Sequence, residues 1–256
     1  MDLVAYYDAY WRRADDTFDH DRLALLEQHI QPGQDVLEVD CGPGVLAARM
    51  RDKGARVRAT DLSAVAVERA RAKGIPCQQV DIDTEALPFD NGRFDVVVSN
   101  SAIEHRFFHE RSFDECVRVL KPGGQFIVCL PNIAHLICRW WILTGRFPYV
   151  ANSPTDAMHL RFFTVHEAMA LCRARGLEVI SVQGSASLWA EGFYPAFWRK
   201  HRLRKLFTWL ARIWPSLFGR DFVITAIKHS AGWAREASSP RSILPPRRRR
   251  RPEARR

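Results

Sequence analysis

The chain has 256 residues, 47% hydrophobic and 26% charged, so one elaborated globular domain with a substantial core is expected, and wholesale disorder or a fibrous fold is excluded. Its net charge of +9 is unevenly placed: residues 1–188 carry −4, residues 189–220 carry +6 and residues 231–256 carry +7. The body is mildly acidic, which argues against a nucleic-acid-binding surface there.

The six cysteines (41, 77, 116, 129, 138, 172) form no CxxC pair and several sit in apolar runs, as suits reduced, buried thiols. The amino-terminal MDLVAYYDAYWRRADD is too polar and acidic for a secretory signal. The most apolar stretch, 133–143, is interrupted by His135 and Arg139 and falls short of the roughly 20 residues of a membrane span. A cytosolic protein without a transmembrane segment is expected.

In chain order, Tyr6, Tyr7, Tyr10 and Trp11 predict a helix whose aromatic stripe packs on the body, with a lid over a site as the alternative. From Asp35 onward, short β-branched runs alternate with helical segments, the pattern of a parallel sheet with crossover helices. DVLEV (35–39) predicts a first strand that runs into a turn at Gly42–Gly44 and a helix through about Lys53. RVRATD (56–61) predicts a second strand, with Ser63 capping a helix to about Lys73, and CQQVD (77–81) a third. FDVVVSN (94–100) is apolar almost throughout, as a central strand covered on both faces should be. A helix over about 112–120 stops at LKPGG, and GQFIVCLP (124–131) is a fifth strand. The stretch after Pro131 breaks the rhythm before a helix over 165–175, a sixth strand at 177–184 and a last strand at 221–228. One domain over 1–230 is expected, with residues 231–256, rich in Pro and Arg, as a disordered polybasic tail.

Three strand ends carry chemistry. Gly42-Pro43-Gly44 between strand and helix presents backbone N–H groups and a positive helix end to an anionic or polar ligand. Asp61, 23 residues after Glu38, can accept both hydroxyls of a ribose, and Asp81 or its neighbour can meet an adenine edge. Together they predict a nucleoside site.

On VLEVDCGPG (36–44), ATDLS (59–63), VDIDTEALPFDNGRFDVVVSN (80–100), SAIEH (101–105) and LKPGG (120–124), the chain resembles the class I S-adenosylmethionine-dependent methyltransferases over roughly residues 30–185 and the final strand. The resemblance implies an α/β, Rossmann-like, doubly wound fold with a mostly parallel seven-stranded sheet and an antiparallel last strand, and S-adenosyl-L-methionine as cofactor. It places cofactor contacts on Glu38, Asp40, Cys41, Gly42, Gly44, Asp61, Leu62, Asp81, Ile82 and Asn100. The glycine loop would cradle the methionine part, Asp61 hold the ribose, and Asp81 with Ile82 frame the adenine. The family usually has Gly where this chain has Asp40, which either crowds the tightest turn or offers a hydrogen bond to the cofactor ammonium. Residues 130–164, HLRFFT (159–164) above all, are similar to a narrower branch associated with bacterial glycan and cell-envelope pathways or with a methionine-biosynthesis methyltransferase-like protein.

A sulfonium methyl is already electrophilic, so the protein must align the acceptor and, for an alcohol or phenol, take its proton. His105 and His159 are the candidate catalytic residues; a helix-start hydrogen bond is the other reading of His105, and a loop tie is preferred for Arg161 over holding an acidic acceptor. Ser99-Asn100-Ser101-Ala102 lacks the Asn/Asp-Pro-Pro-aromatic signature of amino-methylating enzymes. O-methylation of a small-molecule or lipid-linked acceptor, a glycan among them, is therefore expected. No set of His, Cys, Asp and Glu has metal-ligand spacing, so no metal is expected. In FWRKHRLRKLFTWLARIW (197–214), apolar residues at helical spacing and basic residues on other faces describe either a lid packed on the domain or a helix lying in an anionic membrane interface. The second reading implies a location peripheral to a membrane's inner face, with the arginines at 247–251 near phosphates. The alternatives are a non-catalytic S-adenosylmethionine-binding regulator and, less in keeping with the acidic body, a nucleic-acid methyltransferase.

Overall fold

The apolar runs at 35–39, 94–100 and 124–131 become the centre of one sheet. In a computed structural model, residues 2–16, 19–188, 192–195 and 201–229 are described. Among them the strands are β1 Asp35–Val39, β2 Arg56–Asp61, β3 Cys77–Gln79, β4 Phe94–Asn100, β5 Leu120–Pro131, β6 Leu177–Ser185 and β7 Asp221–Lys228. They lie in the order β3-β2-β1-β4-β5-β7-β6, all parallel except β7, which runs antiparallel to both neighbours. The helices are α1 Leu3–Arg13, α2 His20–Glu27, α3 Val45–Asp52, α4 Ala64–Ala72, α5 His109–Val119, α6 Leu136–Leu143, α7 Val165–Ala174, α8 His201–Ile213 and α9 Pro215–Phe218.

Alternation along the strands divides the core into two layers. Leu37, Val97, Phe126, Val128, Phe222 and Ile224 face α5 and α7, where Phe113, Cys116, Ala168 and Cys172 meet them. Val36, Val96, Val98, Ile127 and Val223 face α2, α3 and α4, against Leu23, Leu26, Leu46, Met50 and Ala70. The expected doubly wound sheet with an antiparallel last strand is thus present. Strand order reverses between β1 and β4, and in open sheets of this kind the crevice beyond the strand ends at that point takes the ligand. All six cysteines are free and buried.

Element boundaries differ from the sequence expectation where side chains redirect the backbone. β3 stops at Gln79, before Asp81, whose backbone carbonyl and carboxylate accept from the 83–85 turn. β5 begins at Leu120, with Pro122 and the glycines inside it, and a register shift between Phe94 and Val96 absorbs them. Helix α2 had no counterpart in the sequence reading; Asp19 caps it by accepting from Asp21 N (3.1 Å) and Arg22 N (3.4 Å).

A third, smaller cluster joins α6 to α8 through Cys138, Ala186, Phe193, Tyr194 and Ala211. α8 docks closely: a Cβ on Gly184 would run into the Ala211 carbonyl oxygen. The helix therefore packs on the domain, as the lid reading has it, but its apolar stripe is not all turned inward. Leu206, Trp209, Ile213 and the following Trp214 are exposed. Arg199, Lys200 and the tail at 231–256 lie outside the described residues. No helix among the described residues is long and apolar enough to cross a membrane.

Candidate active site

The loop after β1 needs left-handed backbone at three positions, Asp40 (φ 55°), Gly42 (55°) and Gly44 (72°). A Cβ on Gly44 would meet the Ala70 Cβ at 2.8 Å, so this glycine is also what lets α3 approach α4. Asp61 at the end of β2 ties the loop down, its two carboxylate oxygens accepting from Gly42 N (2.7 Å) and Ser63 N (2.8 Å). Burial, and then the Asp40 carboxylate, push its pKa up to about 7.

The cofactor implied by the resemblance can be tested against these residues. Glu38 is buried with its Oε2 unpartnered, and burial raises its pKa well above the usual carboxylate range. Asn100 Oδ1, at the end of β4, is likewise buried without a partner. Two orphaned acceptors flanking a loop of left-handed turns suit a ligand with an ammonium and hydroxyl donors, which S-adenosylmethionine has. The residues present fit it: Glu38 and Asn100 would accept its donors, and Asp61, Leu62 and Asp81 line the adjoining strand ends. Cys41 and Ile82 would contribute only backbone, because the Cys41 thiol points to Cys77 (3.7 Å) and Ile82 is buried in the core.

Asp40 finds its partner within the chain. Its carboxylate lies in a bidentate pair with Arg106, through Nε (3.1 Å) and Nη2, with both side chains less than one-tenth exposed. Burial raises the Asp40 pKa and the guanidinium opposes it. Arg106 also stands 3.7 Å from Asp81, so it links the first and third strand ends. The charge that the usual glycine lacks is therefore met from within the chain, and Arg106 is a site residue that the sequence reading did not find.

Helix α1 closes the site from above. Asp8 accepts from Ser63 Oγ (2.5 Å), and Arg69 donates to the carbonyls of Trp11 (2.5 Å) and Ala14 (2.8 Å). These ties lay Trp11 over the glycine loop: a Cβ on Gly42 would be 2.8 Å from the indole. Tyr7, whose pKa burial raises, meets the His105 ring edge-on at 6.3 Å. The aromatic stripe packs on the body and, in doing so, covers the site.

The two candidate histidines come together although 54 positions apart in sequence. His105 ends a 3-10 turn, Ile103–His105, beyond β4, and its ring lies 4.9 Å from that of His159. His105 Nδ1 is 3.0 Å from the Met158 carbonyl and His159 Nδ1 is 3.2 Å from the Pro154 carbonyl. A carbonyl only accepts, so each Nδ1 carries the proton and each Nε2 the lone pair. Burial lowers the pKa of His105 to about 4 and lowers that of His159. The loop is hooked to Glu104, whose backbone oxygen accepts from Leu160 N (2.9 Å) and Arg161 N (3.0 Å). Arg161 donates to the Phe107 carbonyl (2.7 Å), the loop tie expected of it. Glu104 is completely buried, with both carboxylate oxygens unpartnered and a pKa pushed up to about 8 by burial. One donor atom from each of Glu104, His105 and His159 lies within 4.8 Å of the others. Sequence spacing gave no sign of such a set.

Among known proteins, a probable S-adenosylmethionine-dependent methyltransferase of Mycolicibacterium smegmatis is 33% identical over 178 residues, which cover 68% of this chain and 62% of that one. A malonyl-[acyl-carrier protein] O-methyltransferase of Erwinia billingiae is 40% identical over 130 residues, covering 49% and 51%. The chain thus spans about half to three-fifths of the length of these relatives. The fold is shared with the geranyl diphosphate C-methyltransferase of Streptomyces coelicolor, at a TM-score of 0.62 and 13% identity over 89% of this chain and 98% of that one. The family described as methionine biosynthesis protein MetW matches residues 20–207. With that match over most of its length, the chain belongs to the MetW family of class I S-adenosylmethionine-dependent methyltransferases.

Proposed function

We propose that this chain transfers a methyl group from S-adenosylmethionine to an oxygen of a small-molecule or lipid-linked acceptor, with His105 and His159 handling the acceptor's proton. The observation that carries the reading is the pairing of these two imidazoles at the end of β4, each with Nδ1 at a carbonyl and Nε2 available. When bound, S-adenosylmethionine supplies an electrophilic methyl group on sulfur. The protein holds the glycine loop against Asp61, offers Glu38 and Asn100 to the cofactor's donors, and shuts out water with Tyr7 and Trp11. An acceptor hydroxyl near His105 then loses its proton within the covered site. The name of the Erwinia relative, an O-methyltransferase, supports oxygen as the atom methylated.

Support for a lipid-linked acceptor is the apolar surface of α6 and α8. Trp140, Ile142 and Leu143 on α6 and Trp209 and Ile213 on α8 are more than half exposed. With the basic residues of α8 they form a surface of interfacial character, suited to an anionic membrane. Nucleic acid is not favoured as acceptor. The test is incubation of the full chain with S-adenosylmethionine labelled on the methyl group and fractionated cell extract, lipids included. A labelled product in the wild type that disappears in Asp61→Ala supports methyl transfer. S-adenosylhomocysteine binding without any labelled product would instead make the chain a cofactor-binding regulator.

A further inference from the structure

We propose that Glu104, His105 and His159 form a site for a divalent first-row transition-metal ion. Three observations converge on it. The donors are two imidazoles and one carboxylate, the set that favours zinc, manganese, iron or cobalt over the oxygen-seeking magnesium and calcium. Each imidazole has its Nδ1–H at a backbone carbonyl, Met158 for His105 and Pro154 for His159. Metal-binding histidines are held in this way, because the tie fixes the ring and leaves Nε2 as the ligand atom. Third, Glu104 has no exposed surface, and both its carboxylate oxygens lack a hydrogen-bond partner. A buried carboxylate without a donor is costly, and a cation bound between it and the rings would supply the missing partner.

The dimensions are those of a site that closes on its ion. His159 Nε2 lies 4.0 Å from Glu104 Oε1, and the three donor atoms fall within 4.8 Å of one another. Two bonds of about 2.1 Å at a tetrahedral angle put ligand atoms about 3.4 Å apart, so binding draws the donors together by up to about 1.4 Å. His159 sits on the 153–161 loop, whose ties to the Glu104 backbone hold it beside the carboxylate. Three protein ligands leave coordination positions open. Resting on the methyl-transfer reading, one of them would take the acceptor oxygen, so that the ion lowers the hydroxyl's pKa and the acceptor is held as its anion, its proton released to bulk solvent as it binds and before the site closes. The histidines would then act on the acceptor through the ion.

The test uses the full chain, stripped by chelator and titrated with Co²⁺ and Zn²⁺ at neutral pH. Visible d–d absorption follows cobalt, calorimetry follows both ions, and far-ultraviolet circular dichroism checks folding. One equivalent of Co²⁺ is expected, displaced by Zn²⁺, with affinity falling at least about tenfold in His105→Ala, His159→Ala and the nearly isosteric Glu104→Gln. Folded wild type that takes up no stoichiometric Co²⁺, or binding unchanged in His159→Ala and Glu104→Gln, would overturn the site. S-adenosylhomocysteine calorimetry on the same samples separates the two readings: cobalt bound without heat from S-adenosylhomocysteine upholds the metal site and removes methyl transfer.

Discussion

Replacing Arg106 by Met tests the most unusual feature of the site, a buried charge where the family carries glycine. The side chains of Asp40 and Arg106 are 9% and 7% exposed, and the hydrogen bonds to the Asp40 carboxylate come from Arg106. Removing one partner of such a pair costs about 3–5 kcal/mol, because the other is left buried without its counter-charge. A second route gives the same size. Without Arg106, Asp40 stays protonated in the fold, while in the unfolded chain it ionises with an ordinary pKa of 3.8. Holding it neutral at pH 7 costs about 4 kcal/mol, at about 1.4 kcal/mol per pH unit. The sign follows: a folded pKa raised above the unfolded one means stability lost as pH rises. The penalty of Arg106→Met is therefore largest near pH 7 and shrinks toward pH 4. Urea unfolding by circular dichroism at pH 5 and pH 7 measures it. Asp40→Gly together with Arg106→Met should recover most of the loss, because glycine also relaxes the φ of 55°, worth about 1 kcal/mol. A penalty equal at both pH values, or a double variant no more stable than Arg106→Met, would refute the account.

Asp61 gives a second pH dependence. Burial holds its folded pKa at about 7 against an ordinary 3.8, so the unfolded chain ionises first and the stability of wild type relative to Asp61→Asn falls as pH rises between those values. Denaturant unfolding across that window checks it; a flat difference would mean that the carboxylate is charged throughout. Gly44→Ala places a Cβ 2.8 Å from Ala70 Cβ at a φ of 72°, and the expected loss is about 2–4 kcal/mol, read as a lowered Tm. A loss under about 1 kcal/mol would show that α3 and α4 can separate without cost. Because Trp11 covers Gly42, a ligand on the glycine loop must displace the indole, and titration with S-adenosylhomocysteine should change tryptophan fluorescence in wild type but much less in Trp11→Phe. The same change in both proteins would place the ligand elsewhere.

The sheet was legible because its signal is local and repeated. β1, β2, β4 and β7 coincide with runs whose alternate residues face two buried layers, and no polar residue interrupts β4 before Ser99 except Asp95 near its start. Asp95 sits at the edge and is satisfied by Lys121 (2.7 Å) and Asp35 N (2.9 Å), so it does not break the pattern. Helix α2 was missed because its eight residues carry only two strongly buried leucines and a cap, Asp19, that looks like any loop acid. The α8 stripe left two readings open for a related reason. Helical periodicity identifies an apolar face but does not say what covers it, and here Gly184 brings Ala211 inward while Leu206 and Ile213 turn outward.

In the site, the legible residues are those whose role depends on backbone position. Gly42, Gly44 and Asp61 act through a turn and two amide bonds fixed by the strand ends, and a strand–glycine–helix pattern announces them. Asp40 depends on a side chain 66 positions away, so the sequence showed a charge without its counter-charge and its effect had no sign. Glu104 stood inside a recognised motif, SAIEH, yet its carboxylate acquires meaning only when the loop carrying His159 folds back over it. A buried acid next to a candidate base was the one signal available there. Since burying an unpaired carboxylate costs several kcal/mol, a buried acid inside a 3-10 turn and next to an imidazole points to a missing cationic partner. Asp40 and Glu104 answer in different ways: the first is met by Arg106 within the chain, and the second faces two imidazoles, with the proposed cation between them as the partner.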